Sequence, residues 1–307
     1  MEVRILNFGS LNIDYVYSLD HIVREGETEA SADYQVFAGG KGLNQSVALA
    51  RAGGRVFHAG RIGKEGAFLK KALEDSGVDC RFLLTDGGAN GHAIIQRSAA
   101  GENSIILYPG ANHKNTREDM DRVLARFEEG DILVCQNEIS ETAYLIEAAH
   151  RRGLRVAWNP SPVTDVIKDV DFSMVSWLII NEIEGEAITG EADPEAMLEA
   201  LRRRYPDLRV VLTLGAGGSV CQDGELVLRQ ERYTVPVRDT TAAGDTFLGY
   251  FIREASQAGR DPEALGRALK MASMAAALAV SREGAMPSVP LRDEVEAELA
   301  KREKESV

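Results

Sequence analysis

The stretch DILVCQNEISETAYLIEAAHRRGLRVAWNP, Asp131 to Pro160, has the pattern of a strand, a helix and a second strand. Two short apolar runs, DILVCQ and LRVAWNP, flank an amphipathic segment that ends at Gly153, a residue typical of a helix C-terminus. A strand, a crossover helix and a further strand in this order predict a parallel pair of strands covered by the helix.

The same alternation recurs through most of the chain. Further buried strands are predicted in VRILNFGS, SWLIINE and LRVVLTLG. Further helices are predicted in GLNQSVALARAG, AFLKKALEDSG, TREDMDRVLARFEEG, DPEAMLEALRRRY and the Ala-rich residues 261–281, and a β-meander in residues 218–236. The pattern predicts an α/β fold with a doubly wound, mostly parallel sheet flanked by helices.

Two segments depart from this alternation. Residues 14–37 and 90–108 alternate apolar and polar positions between turn residues, as exposed strands do. We expect these segments to pair into a small β-sheet that acts as a lid. The α/β core would then comprise residues 1–13, 38–89 and 109–307.

Composition and charge narrow the class of function. The chain has 307 residues, of which 44% are hydrophobic and 27% charged, and its formal net charge is −13 with a pI near 5.0. This acidity argues against binding nucleic acid or an anionic membrane surface, which attract basic patches. The chain shows no signal peptide and no run of the ~20 apolar residues that a membrane span needs. Cys80, Cys135 and Cys221 lack metal-ligand spacing, so we expect buried thiols in a cytoplasmic protein that acts on small molecules.

Polar clusters follow four of the predicted strands. They are GSLNID after the first strand, QNE after DILVC, NEIE after SWLII, and TLGAGG at the end of LRVVL. In an open α/β sheet, ligands bind beyond the carboxyl ends of the strands. The clusters are therefore expected to converge on one site, although each alone is also ordinary loop chemistry.

Two segments, one of them outside these four clusters, suit a polyhydroxylated ligand. In AGGKGLNQS, Ala38 to Ser46, the glycines permit close approach of the backbone, and Lys41 and Asn44 can donate hydrogen bonds. In GSLNID, Asn12 and Asp14 are two residues apart and lie on one side of an extended segment. The alternatives are a structural glycine turn and an Asx-turn that ends the first strand.

Two other clusters suit phosphates and their metal ion. Asn181 and Glu184 of NEIE share one face of a helix, from which both could reach a hydrated Mg²⁺ on ATP phosphates. The alternative is a capping box, with Asn as N-cap and Glu at the third helical position. TLGAGG, Thr213 to Gly218, offers flexible backbone to a triphosphate, or only a tight turn.

The stretch RDTTAAGDTFLGY, Arg238 to Tyr250, places Asp245 where a helix is predicted to begin. An acidic residue is favourable in the first turn of any helix, because the backbone N–H groups there are unpaired. A small-residue turn can instead hold a phosphate next to a carboxylate that removes a substrate proton.

Taken together, these motifs resemble the ribokinase family of carbohydrate kinases, the PfkB group, in the same order and over essentially the whole chain. The family's N-terminal signature is similar to AGGKGLNQSVALARAGG, and its C-terminal signature is similar to DTTAAGDTFLG. GAN at Gly110 to Asn112, NPSP at Asn159 to Pro162, and GAMPSVP resemble the members that act on ribose. The resemblance implies an ATP-dependent sugar kinase that phosphorylates a primary hydroxyl, most specifically O5 of D-ribose.

The resemblance also implies roles for individual residues. Asp245 would be the general base, and the N–H groups of Ala242, Ala243, Gly244 and Asp245 would stabilise the transferring phosphoryl group. By the same resemblance, the sugar would be bound by Asn12, Asp14, Gly40, Lys41, Asn44, Glu138 and Asp245. Mg²⁺ and ATP would be bound by Asn181, Glu184, Thr213, Gly215, Gly218, Gly244 and Ser273. A monovalent cation, usually K⁺, would be bound by Asp239, Thr241, Ala279, Arg282, Gly284 and Ser288. Members of the family commonly form homodimers through the lid.

Three alternatives remain at this point. Another PfkB kinase could act on a nucleoside, a hexose or a keto-sugar, because only the pocket would differ. A sugar-binding regulator without activity is disfavoured by the joint presence of Asn181, Glu184, Gly244 and Asp245. A nicotinamide dehydrogenase is disfavoured because GSLNID, and not G-x-G-x-x-G, follows the first strand.

Overall fold

A computed structural model describes residues 3–305, which form two β-sheets and the helices packed around them. The strands are β1 (Arg4–Phe8), β2 (Asn12–Leu19), β3 (Asp33–Gly39), β4 (Arg55–Ile62), β5 (Asp79–Thr85), β6 (Gly91–Ser98), β7 (Asn103–Tyr108), β8 (Ile132–Gln136), β9 (Arg155–Asn159), β10 (Trp177–Asn181), β11 (Arg209–Thr213), β12 (Ser219–Asp223) and β13 (Leu226–Gln230). The α-helices are α1 (Lys41–Arg51), α2 (Ala67–Asp75), α3 (Arg117–Leu124), α4 (Thr142–Arg151), α5 (Val166–Asp169), α6 (Glu182–Thr189), α7 (Pro194–Arg204), α8 (Ala243–Ala258), α9 (Pro262–Val280) and α10 (Arg292–Glu305).

The large sheet has nine strands in the order β13-β12-β11-β10-β9-β8-β1-β4-β5. All neighbours from β11 to β5 are parallel, while β12 and β13 form an antiparallel hairpin at one edge. The chain leaves β1 toward β4 on one side and returns to β8 on the other. The strand order therefore reverses at β1, which is where such sheets bind ligands.

Two hydrophobic layers cover the faces of this sheet. Side chains alternate along β8, so that Ile132 and Val134 enter the layer under α1, α2, α8, α9 and α10. Leu133 and Cys135 enter the opposite layer, under α3, α4 and α7. The predicted doubly wound α/β fold, with helices on both faces, is confirmed.

A second, four-stranded sheet has the order β3-β2-β6-β7. Its central pair β2 and β6 is parallel, and the outer pairs are antiparallel. The small sheet predicted from residues 14–37 and 90–108 is therefore present, although β2 begins slightly earlier, at Asn12. Asn12 and Asp14 lie on this strand and point to the same side of it.

The local assignments differ from the sequence pattern in several places, and helices α5 and α10 were not predicted. β4 and β5 were not predicted, because His58, Gly60 and Arg61 interrupt the apolar run of β4. Helix α3 ends at Leu124, whereas the sequence predicted a helix that continued to Gly130. After α3, the backbone N–H groups of Arg126 and Phe127 each bond the carbonyl three residues earlier. The predicted meander is only the hairpin β12–β13, since residues 231–240 form no strand.

The three cysteines are buried and unpaired, as expected. Within residues 3–305, no helix is both long enough and apolar enough to cross a membrane.

Candidate functional site

The candidate site lies at the carboxyl ends of β1, β8, β10 and β11, next to the first turns of α1 and α8. Each strand is largely buried, and the polar residues lie at or immediately after its end. The four clusters predicted to converge are thus brought to one edge of the sheet, because all of these strands are parallel.

Asn12 and Asp14 on β2 form one side of the site. Asn12 is buried, and its Oδ1 accepts a hydrogen bond of 2.7 Å from Nδ2 of Asn112. Asn112 Oδ1 in turn accepts from the backbone N–H of Leu11 at 3.0 Å, which fixes the orientation of both amides. Asn112 belongs to the GAN motif, and its contact with Asn12, formed across a distance of 100 residues, was not predicted from the sequence.

Two adjacent glycines bring the backbone close to these side chains. A Cβ at Gly39 would stand 2.0 Å from Oδ2 of Asp14, so only glycine leaves room for the carboxylate. Gly40 has φ of 93°, a conformation that L side chains rarely adopt, and it precedes α1 directly. The glycine pair therefore places the first turn of α1 against Asp14, as a ligand-binding turn requires.

A buried carboxylate and ammonium lie at the start of α1. Glu138, which follows β8, accepts hydrogen bonds from the hydroxyl of Ser10 and from the backbone N–H of Lys41. Burial raises the pKa of Glu138, and the charge of Lys41 opposes that effect. Burial alone would lower the pKa of Lys41. The nearby carboxyl groups of Asp245, Glu138 and Glu184 have the larger effect and raise this pKa, so Lys41 stays an ammonium ion.

Asp14 is half-buried, and its environment opposes ionisation. Burial first, and then the nearby charge of Glu138, raise the pKa of Asp14 from 3.8 to about 7. Carboxyl groups with a raised pKa are common in binding pockets, where a bound ligand can donate hydrogen bonds to the carboxylate.

Asp245 is the third helical residue of α8, and it is buried. Its carboxylate binds side chains of α1: Oδ2 accepts from Asn44 Nδ2 at 3.1 Å and Oδ1 from Gln45 Nε2 at 2.9 Å. A residue that only stabilised the start of α8 would turn its oxygens to the N–H groups of its own first turn. The carboxylate of Asp245 is therefore held by α1, at a cavity that Lys41 and Glu184 also line.

The turn before α8 is strained and leaves backbone N–H groups without helical acceptors. Ala242 has φ of 59°, in the left-handed region that alanine avoids. Ala243 N–H is directed to Thr240 O at 3.3 Å, and Thr246 N–H bonds Ala242 O. The N–H groups of Gly244 and Asp245 lie in the first turn, where a helix offers no internal acceptor. These two groups, more than those of Ala242 and Ala243, are free to bind an anion.

A cavity of about 630 Å³ opens on the other side of this turn. It is lined by the residues predicted to flank a nucleotide, which are Thr213, Gly215, Gly218, Gly244 and Ser273. Its volume lies within the range typical of small-molecule sites. The lining also includes residues 232–235, Val237, and Ala276, Ala277 and Val280 of α9, which were not predicted as site residues.

A smaller cavity of about 250 Å³ adjoins the larger one. Lys41, Asn181, Glu184 and Asp245 all line it, and it shares Gly244 with the larger cavity. Asn181 and Glu184 do form the capping box, with Asn181 Oδ1 accepting from Glu184 N at 2.9 Å and Glu184 Oε2 from Asn181 N at 3.0 Å. The cap presents both side chains to the cavity, so the structural and the ligand-binding interpretations are compatible.

The residues predicted to hold a monovalent cation lie on two neighbouring loops, apart from Ala279, which lies at the end of α9. Asp239 joins them, because its Oδ1 accepts from Thr241 N at 2.9 Å and its Oδ2 from Gly284 N at 3.0 Å. Arg282 N bonds Ala279 O at 3.0 Å, and Ser288 Oγ bonds Ala285 O at 2.7 Å. The carboxylate, carbonyl and hydroxyl oxygens of these loops are the ligand type that hard cations take.

The whole arrangement matches one family of enzymes. The model of the pfkB family carbohydrate kinases matches residues 4–292. The chain belongs to the pfkB family of carbohydrate kinases. The family predicted from the motifs is confirmed, and with it the activity of an ATP-dependent sugar kinase.

Three relatives of this kinase illustrate the similarity. It is 33% identical over 304 residues to a ribokinase of Haemophilus influenzae, covering 96% of this chain and 97% of the relative. The structure of ribokinase from Cryptococcus neoformans var. grubii in complex with ADP has a TM-score of 0.82 and 35% identity, covering 97% of this chain and 100% of that one. The Arabidopsis thaliana ribokinase complexed with ribose and ATP has a TM-score of 0.83 and 28% identity, covering 97% and 98%.

The site residues that sequence reasoning missed had weak signals. Ala276, Ala277 and Val280 share one helix face with the predicted Ser273, but a stripe of small residues is equally typical of close helix packing. Residues 232–235 and Val237 carry no periodic pattern, and only their place beside α9 shows that they line the cavity.

Proposed function

We propose that this kinase transfers the γ-phosphoryl group of ATP to O5 of D-ribose. The observation that carries the proposal is the position of Asp245, which lines the smaller cavity together with Lys41 and Glu184, while the adjacent Gly244 also lines the nucleotide-sized cavity. The ribokinase relatives, and the ribose and ATP of the Arabidopsis thaliana complex, support ribose as the substrate. The absence of a glycine-rich dinucleotide motif disfavours hydride chemistry.

On the sugar side, the polar groups suit a ligand rich in hydroxyls. Asp14 can accept from two hydroxyls, while Asn12 and Lys41 can donate. The buried Oδ1 of Asn44 has no hydrogen-bond partner among residues 3–305, which leaves an acceptor for a bound hydroxyl. Glu138 holds the start of α1 and adds a second carboxylate near Lys41.

On the nucleotide side, Thr213, Gly215, Gly218 and Ser273 would surround the base and ribose of ATP. Glu184 and Asn181 would order a hydrated Mg²⁺ that neutralises charge on the phosphates. The N–H groups of Gly244 and Asp245 would bind the transferring phosphoryl group. Asp245, already held by two amide donors, would accept the proton of the attacking hydroxyl.

The substrate is tested by ADP release with Mg-ATP over a panel of pentoses, 2-deoxypentoses, hexoses, keto-sugars and nucleosides. We expect the highest kcat/KM for D-ribose, because the shape and hydroxyl pattern of the pocket select among otherwise equivalent acceptors. A preference of more than about tenfold for another compound, or about 1.4 kcal/mol in transition-state binding, would contradict ribose as the substrate. Binding of sugar without any turnover would favour the regulator alternative.

The cation loops are tested in the same assay. A K⁺ ion held by oxygens of Asp239, Thr241, Gly284 and Ser288 would stabilise the turn at Ala242 without touching the substrate. Activity should therefore be higher in KCl than in NaCl or a tetraalkylammonium salt at equal ionic strength. Equal rates in the three salts would contradict a cation site at these loops.

The small sheet is proposed to act as the lid and to form a homodimer. Ile105, Ile106, Leu107 and Tyr108 of the edge strand β7 are all more than half exposed, on both faces of the strand. An exposed apolar edge of this kind is expected to be covered by another chain, here a second copy. Ile106→Asp should give a monomer in sedimentation equilibrium, whereas Val227→Asp, at an exposed apolar position of β13, should not. A monomeric wild-type protein would contradict the dimer.

A further inference from the structure

A buried chain of side-chain amides runs behind Asp245. Asn7 of β1, Gln136 of β8 and Gln45 of α1 have exposed fractions of 0%, 1% and 0%. Gln136 Nε2 donates to Asn7 Oδ1 at 3.1 Å and to Gln45 Oε1 at 2.7 Å. Gln45 Nε2 then donates to Asp245 Oδ1 at 2.9 Å. None of the three amides was predicted as a site residue.

The direction of every hydrogen bond in this chain is set by one backbone carbonyl. Gly42 O can only accept, and Asn7 Nδ2 donates to it at 2.9 Å. Asn7 must therefore turn its oxygen to Gln136, and Gln136 must donate to Gln45. Gln45 is left to present its N–H to Asp245. The arrangement leaves Gln136 Oε1 buried without a partner among residues 3–305, a cost that points to a functional constraint.

The second hydrogen of the Gln45 amide is anchored in the same way. Gln45 Nε2 lies 3.3 Å from Asn159 Oδ1, and Asn159 Nδ2 donates to the backbone carbonyl of Ile179 at 3.0 Å. Asn159 Nδ2 also lies 3.5 Å from Oε2 of Glu184. Gln45 thus links Asp245, through Asn159, to Glu184. If the amide of Gln45 rotated by 180°, buried hydrogen bonds would be lost.

We propose that Gln45 is a positioning residue for phosphoryl transfer, which holds the carboxylate of Asp245 toward the acceptor hydroxyl. The proposal rests on Asp245 acting as the base. Gln45 is fully buried and cannot itself touch the sugar, unlike its neighbour Asn44. With Asn44 on Oδ2 and Gln45 on Oδ1, the carboxylate cannot rotate about its side-chain bond. Lys41 and Glu138 are the charged groups that also face it.

The first test replaces the amide by an apolar chain of similar length. Gln45→Met should lower kcat about 10- to 100-fold, because an error of about 1 Å in the position of a catalytic group costs this much. The KM values for sugar and ATP should change less than about threefold. The matched control is Gln222→Met on β12, which removes another buried amide, bonded to Leu198 O at 3.0 Å, and should lower the melting temperature without lowering kcat.

The second test separates positioning from general damage. If Gln45 acts through Asp245, Gln45→Met should lower kcat less than about twofold in an Asp245→Asn background. The same loss in both backgrounds, or a wild-type kcat in Gln45→Met, overturns the proposal. Should Gln45→Met not fold, Gln45→Glu keeps the shape and puts an oxygen against Asp245, and a wild-type kcat there overturns it equally.

Failure of this proposal is distinguishable from failure of the proposed function. If Asp245→Asn retains normal turnover, the role of Asp245 as the base is wrong. If Asp245→Asn loses turnover and Gln45→Met does not, only the positioning role of Gln45 is wrong.

Discussion

Asp245→Asn is expected to lower kcat by about 10²- to 10⁴-fold while leaving the KM for sugar and for ATP nearly unchanged. Asparagine has almost the same shape but cannot take the proton of the attacking hydroxyl. General-base catalysis typically contributes a factor of this size. The N–H groups of Gly244 and residue 245 remain in place, so the phosphates should still bind. The measurement is steady-state kinetics together with the melting temperature.

A matched control for this variant is available at another helix start. Asp261 is the N-cap of α9, where its side chain accepts from the backbone N–H groups of Glu263 and Ala264. Asp261→Asn should cost little stability and no turnover, because asparagine is also a good N-cap. If Asp245→Asn behaved like Asp261→Asn, with a modest change in melting temperature and near-normal kcat, Asp245 would have only a structural role.

Asp14→Asn is expected to raise the KM for sugar about 10- to 100-fold with a smaller effect on kcat. Losing one charge-assisted hydrogen bond to a hydroxyl costs about 1.5–3 kcal/mol, which corresponds to a change of this order, and the hydroxyls that Asp14 would bind do not react. An unchanged KM would show that Asp14 does not contact the sugar.

The same variant should stabilise the ligand-free protein in a pH-dependent manner. The pKa of Asp14 is about 7 in the folded protein, against 3.8 ordinarily. Between these values the folded state keeps a proton that the unfolded chain has released, so stability falls as pH rises through this window and is level above it. Asparagine cannot ionise and avoids this loss. The gain in melting temperature of Asp14→Asn should therefore be larger at pH 8 than at pH 5.

Asp119 provides a control of opposite sign. Burial raises the pKa of Asp119, but its hydrogen bonds with Arg61 and Thr116 outweigh burial and lower it. This carboxylate contributes stability that is present above its unfolded pKa and lost as pH falls through the folded value. Asp119→Asn should therefore lower the melting temperature at both pH 5 and pH 8. For Asp14→Asn, an equal gain in melting temperature at pH 5 and pH 8 would contradict the raised pKa of Asp14.

Local patterns in the sequence were enough to predict most of the elements and the edge at which the site lies. The apolar run Ile132–Gln136 and the amphipathic helix after it are local features, since the two faces of a strand and the stripe of a helix are set by side-chain periodicity. β4 was not predicted because its buried positions include His58 and Gly60, which are not apolar side chains and interrupt the hydrophobic pattern.

For single residues of the site, the sequence likewise predicted the features that depend on neighbours along the chain. From the sequence alone, Asp245 was assigned to the start of a helix, with a structural and a chemical interpretation both open. The capping box of Asn181 and Glu184 could likewise be predicted from its spacing, because its hydrogen bonds join residues one helical turn apart.

Only the tertiary structure decided which partners these side chains have. Asp245 is held by Gln45, which is 200 residues away along the chain, and Asn12 by Asn112 at a separation of 100. Residues 232–235 and Val237 line the nucleotide-sized cavity solely because α9 lies beside them. Periodicity predicts which way a side chain points from its own element. The contacts named above arise when elements far apart in the chain pack together, and no local spacing encodes that packing.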